Sequence, residues 1–83
     1  MRQVTYTRTA LKQLATIASV EARRIVAKVE QYAADPASLA QQVKRLQGVD
    51  ALRLRVGDYR VIFTEDAVVV AVLKVGHRRE VYE

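Results

Sequence analysis

Apolar and polar positions change their rhythm twice along this chain, dividing it into a strand, two helices and a run of further strands. "RQVTY" at 2–6 places Val4 and Tyr6 on one side of an extended segment rich in strand formers. The period then lengthens. Leu11, Leu14, Ile17 and Ala18 recur at helical spacing, and Thr7 or Thr9 offers a hydroxyl to an unpaired first-turn N–H. Ser19 is the expected N-cap of a second helix, with Glu21 in its first turn and an apolar stripe of Ala22, Ile25, Val29 and Tyr32. Asp35-Pro36 ends it, because the residue before proline is pushed out of helical geometry. The two helices form a hairpin.

Residues 37–50 hold no sustained period. Leu39, Val43 and Leu46 fit either one face of a short helix or three anchors of a connecting loop, and the expected form is a loop with at most one helical turn. Alternation returns beyond it. Strands are expected over 51–56, 59–64 and 68–75, with turns at Gly57-Asp58, at Glu65-Asp66-Ala67 and at Gly76, and the last residues have room for a short closing strand. The order β-α-α-β-β-β defines an α+β fold in one domain over 1–83, a helical hairpin packed on a mainly antiparallel twisted sheet.

Strand periodicity also sorts the side chains of the first hairpin. In "ALRLRVGDYRVIF", Leu52, Leu54 and Val56 turn to the helices, while Arg53 and Arg55 share the other face about 7 Å apart. Arg60 returns near this pair after the turn, in a register that the sequence leaves open. A sheet face in water needs polar residues, so solvated surface is the plain alternative. Against it, the polar residues here are all arginines, which repel one another unless an anion joins them.

The 83 residues carry a net charge of +5, and eight of the fourteen lysines and arginines fall between Lys44 and Arg79. Such a balance favours a polyanionic partner. Cysteine is absent, so disulfides and thiolate metal sites are excluded, and a reducing compartment such as the cytoplasm is the expected location. The longest apolar run, "AVVVAVL" at 67–73, is too short to span a bilayer. Neither a triad nor a metal-ligand cluster nor a phosphate loop is visible; the single histidine, His77, stands in "KVGHRREVY" with Lys74, Arg78, Arg79 and Tyr82.

At these residues the chain resembles the RelE toxins of bacterial toxin–antitoxin pairs, within the RelE/ParE superfamily. The resemblance is carried by "LRLRVGDYRVIF" and "VVVAVLKVGHRREVY", with "VKRLQG" between the helices and the hairpin, and covers nearly the whole chain. It implies a small basic toxin that cleaves messenger RNA in the ribosomal A site, needs no cofactor or metal, and is held inactive by a small, acidic, partly disordered antitoxin in a hetero-oligomer. It also implies the catalytic set Arg55, Arg60, Arg78 and Tyr82, and a wider RNA-binding surface of Arg53, Lys44, Arg45, Lys74, His77 and Arg79. Two features depart from some members: a shorter step from Arg78 to Tyr82, and a chain that ends at Glu83 without a C-terminal helix.

The chemistry of arginine bears on these roles. Cleavage through the ribose 2′-hydroxyl needs proton removal, shielding of the phosphorane and protonation of the leaving oxygen. Guanidinium has a pKa above about 12 and is a poor base, so such a site works mainly by charge and positioning. On this reading Arg60 and Arg78 clamp the phosphate, Arg55 lies nearest the attacking hydroxyl, Arg78 or His77 assists the leaving group, Tyr82 orients or stacks on a base, and the general base is unassigned. Two further classes fit the sequence: a ParE-like poison of DNA gyrase acting by protein contact, and a non-catalytic basic module.

Overall fold

The computed structural model describes residues 2–81. Strand β1 (Gln3–Tyr6) leads into helix α1 (Arg8–Thr16) and helix α2 (Ser19–Ala34), followed by a 3₁₀ helix over Pro36–Gln42. Then come β2 (Val43–Arg45), β3 (Leu52–Val56), β4 (Tyr59–Glu65) and β5 (Val69–His77). The sheet runs β1-β5-β4-β3-β2, antiparallel throughout except that β1 lies parallel to β5. Both helices pack on one face. Ala10, Ile25, Val29, Tyr32 and Ala33 join Leu54, Val56, Val61, Phe63, Val70, Val72 and Val75 in one core.

Several local expectations are corrected. The 37–50 segment is a loop only from residue 46 on: Pro36 starts a 3₁₀ helix that buries Leu39, and Val43–Arg45 adds a fifth strand against β3. Ser19 is the first residue of α2 rather than its cap, because Ala18 occupies the capping position without a side-chain bond. Thr7 does cap α1, its Oγ1 accepting from Ala10 N–H at 3.1 Å. On α1 the core residue is Ala10, whereas Leu11 is 55% exposed.

Gly76 belongs to β5 and not to a turn; the chain turns at 78–80 instead. Phe63 pairs with Val72 but Ile62 pairs with Lys74, so Leu73 is an extra residue, a β-bulge. Its effect is to shift the alternation. Without it, Lys74 would follow Val70 and Val72 into the core; with it, Val75 enters and Lys74 faces outward. Beyond Val72, the edge of β5 is covered by α1, where Gln13 Oε1 accepts from Val75 N–H at 2.6 Å and Thr7 Oγ1 donates to the Leu73 carbonyl at 2.8 Å.

One end of the sheet is closed by a polar corner. Tyr32 donates to Glu65 (2.9 Å to Oε2), Arg2 pairs with the same carboxylate, and the Arg2 guanidinium lies 5.4 Å from the Tyr32 ring centre. Burial, then the bond to Glu65, pushes the Tyr32 hydroxyl pKa up. Asp66 fastens the next turn, accepting from Val68 and Val69 N–H at 2.8 Å each, and these bonds hold its carboxyl below the usual range. That support is present above the ordinary aspartate pKa and is lost as pH falls through the lowered one.

Candidate functional site

The opposite end of the sheet gathers the arginines. Gly57, with φ at +58°, takes the first central position of a two-residue hairpin turn, a conformation that favours glycine. The turn sets the register Val56 to Tyr59 and Arg55 to Arg60, leaving no bulge in this hairpin. Directly opposite residues share a face, so the Arg55 and Arg60 side chains start from Cβ atoms about 4.5–5.5 Å apart. Strand β2 covers β3 only from Leu52 to Leu54, which leaves Arg55 and Val56 at an open edge.

Arg55, Arg60 and Arg78 line one cavity of about 530 Å³, together with Arg24 and Lys28 of α2, Leu39 and Gln42 of the 3₁₀ helix, and the turn residues Gly57 and Asp58. Arg60 is held to the hairpin by bonds from one Nη to the Gly57 and Tyr59 carbonyls, at 3.2 and 3.1 Å. Arg78 enters from the turn after β5. Its N–H donates to the Asp58 carbonyl at 2.8 Å, and its Nε lies 3.8 Å from Asp58 Oδ1. Among the described lining residues, five cations therefore face one carboxylate. Such a site suits a polyanion.

The other sequence-derived residues fall in different places. Lys44, Arg53, Ile62 and Lys74 form one row across the outer sheet face, next to the row of Arg55, Arg60 and Gly76. Arg53 and Lys74 are thus neighbours of the cavity without lining it. The outer face is not wholly cationic, since Ile62 is buried there and joins Leu46, Val49, Ala51 and Leu73 around a small apolar groove. Arg45 faces the other side of the sheet and pairs with Asp50 at 3.5 Å. His77 also lies on the helix side, edge-on to Tyr59 at 5.7 Å, with its Nδ1 accepting from Arg79 N–H at 3.3 Å. Arg79 is exposed in the final turn, and Tyr82 lies outside the described residues.

Sequence reading missed Arg24, Lys28 and Gln42. The first two had a visible signal, a basic pair at i and i+4 on α2, but a solvated helix face reads the same way. Among the described residues no group of three or more His, Cys, Asp or Glu is placed to hold a metal ion, and no helix is long and apolar enough to cross a membrane.

A family model for the ParE toxin of the type II toxin–antitoxin system parDE matches residues 4–82. Among solved structures, a chain of the archaeal RelE–RelB complex from Pyrococcus horikoshii OT3 is 26% identical with a TM-score of 0.78, the match covering 96% of this chain and 98% of that one. A chain of the RelBE2 toxin–antitoxin complex from Mycobacterium tuberculosis is 28% identical with a TM-score of 0.66, covering 93% and 98%. The isolated Escherichia coli RelE toxin shares the fold at 22% identity and a TM-score of 0.75, covering 93% and 84%. No curated protein sequence matches. The chain belongs to the ParE toxin family of type II toxin–antitoxin systems, within the RelE/ParE superfamily.

Proposed function

We propose that this toxin is an endoribonuclease that cleaves messenger RNA in the ribosomal A site and so stops translation. The observation that supports this most is the convergence of Arg55, Arg60 and Arg78 on one cavity. In the proposed reaction the 2′-oxygen attacks the adjacent phosphorus, the bond to the 5′-oxygen breaks, and a cyclic phosphate and a free 5′-hydroxyl result. Arg60 and Arg78 hold the phosphate and shield the phosphorane, Arg55 stands by the attacking hydroxyl, and Arg78 serves the leaving oxygen. His77 is left out of this scheme because it faces the helix side. A site of this kind has strong electrostatics and a weak base, so it depends on the ribosome to bend and present the message. Arg53, Lys44 and Lys74 extend the cationic surface along the same face. The partners on this reading are the ribosome, its message and a cognate acidic antitoxin, all in the cytoplasm.

The family match favours a second reading, inhibition of DNA gyrase by protein contact. Induction of the toxin followed by mapping of message 5′ ends separates the two. Cuts inside codons of translated messages are expected. Intact messages, together with loss of supercoiling by purified gyrase, would instead support the second reading.

Gly76 offers a finer test. It stands in register with Arg60, and a Cβ there would lie 2.5 Å from Val81 Cγ2, so Gly76→Ala must push aside the Val81 side chain, which packs back from the end of the turn that carries Arg78. Misplacement of a phosphate-binding group should lower cleavage on the order of 10-fold. Stability should change by less than about 1 kcal/mol, because the displaced segment lies at the surface. Paired cleavage assays and urea melts check this, and an equal loss of both would contradict it.

A further inference from the structure

We propose that the cavity grips two successive phosphates of one RNA strand, and that Arg24 and Lys28 of α2 hold the second. This rests on the ribonuclease reading. Arg55, Arg60 and Arg78 come from the sheet and its last turn, whereas Arg24 and Lys28 line the cavity from the helical layer. Their i and i+4 spacing puts both on one helix face, with Cβ atoms about 5–6 Å apart.

Neither cation is committed to a carboxylate among the described residues; Lys28 donates to Gln31 Oε1 at 3.3 Å. Arg24 is exposed at the rim of the cavity. Its guanidinium lies against Gly57, where a Cβ would stand 3.6 Å from one Nη. That contact places it over the same hairpin turn whose carbonyls hold Arg60 and Arg78.

Size and charge agree. A volume of about 530 Å³ is that of a nucleotide-sized pocket, far more than a single phosphate occupies. One phosphodiester brings one negative charge, which the three sheet-side arginines already exceed. A second phosphate gives Arg24 and Lys28 a partner and relieves repulsion across the cavity, and Gln42 adds an uncharged amide to the same lining. The expected ligand is therefore a strand with at least two consecutive phosphates, and a single internucleotide linkage leaves the helix-side pair unused.

The test uses two uncleavable ligands, a 2′-deoxy dinucleotide with one internucleotide phosphate and a 2′-deoxy trinucleotide with two. Binding to the isolated toxin is measured over a range of salt concentrations. Arg24→Gln combined with Lys28→Gln should weaken trinucleotide binding about 10-fold and reduce its salt slope by about 0.7, the value for one lost single-strand phosphate contact. Dinucleotide binding should not change. An equal effect on both ligands, or none on either, would overturn the proposal. So would unchanged oligonucleotide binding with a weakened antitoxin complex, which would assign the pair to a protein interface. Arg60→Ala with Arg78→Ala should weaken both ligands; if it weakened neither, the ribonuclease reading itself would fall.

Discussion

Replacing Arg60 and Arg78 together with alanine is expected to reduce message cleavage by at least about 10²- to 10³-fold, the loss typical of removing one preorganised donor from a developing oxyanion. On the proposed reaction both side chains serve one phosphate, so the two effects should not add. Each is anchored to the same hairpin turn, Arg60 through the Gly57 and Tyr59 carbonyls and Arg78 through its backbone N–H to Asp58. Loss of either therefore leaves the other in place. Arg8→Gln with Lys12→Gln removes the same total charge from exposed positions on α1 and should cleave normally. Mapping of message ends after induction reads all three proteins. Wild-type cutting by the double alanine variant would remove Arg60 and Arg78 from the mechanism.

Phe63→Ala is expected to destabilise the protein by about 3–5 kcal/mol, the usual cost of emptying a buried phenylalanine site. Phe63 is 1% exposed and meets the Tyr32 ring edge-on at 5.0 Å, linking β4 to α2 in the centre of the core. A domain of this size has a total stability of roughly 4–12 kcal/mol, so the variant should be close to unfolded at 37 °C. Urea melts followed by far-ultraviolet circular dichroism measure the loss. A change below about 1 kcal/mol would show that the helices collapse into the space.

The sequence was most legible where one rule acted alone. Alternation in "LRLRV" separated Leu54 and Val56 from Arg53 and Arg55, and Asp35-Pro36 marked the end of α2. It was least legible where tertiary partners decide. Val43–Arg45 is too short to show a period and becomes a strand only because β3 offers an edge. The bulge at Leu73 has no local signature, yet it decides that Val75 and His77 face the helices while Lys74 does not. Leu11 and Ala10 show the same limit: helical spacing permits either to face the sheet, and close packing of α1 on β5 favours the smaller residue. For the cavity, Arg55, Arg60 and Arg78 were visible in the sequence, whereas the contribution of α2 depends on where the helix crosses the hairpin.

The pairing of β1 with β5 bears on when such a protein can become harmful to the cell that makes it. Strand β1 has no other neighbour in the sheet, so residues 3–6 stay unpaired until residues 69–77 have been synthesised. Contacts of such long sequence separation form late in folding. The cavity follows the same schedule, because its lining runs from Arg24 to Arg78. A nascent chain still inside the exit tunnel at β5 therefore holds scattered cations and no assembled cavity. The toxin therefore has no assembled cavity until β5 and the turn after it have left the tunnel, and an antitoxin has that interval in which to meet it.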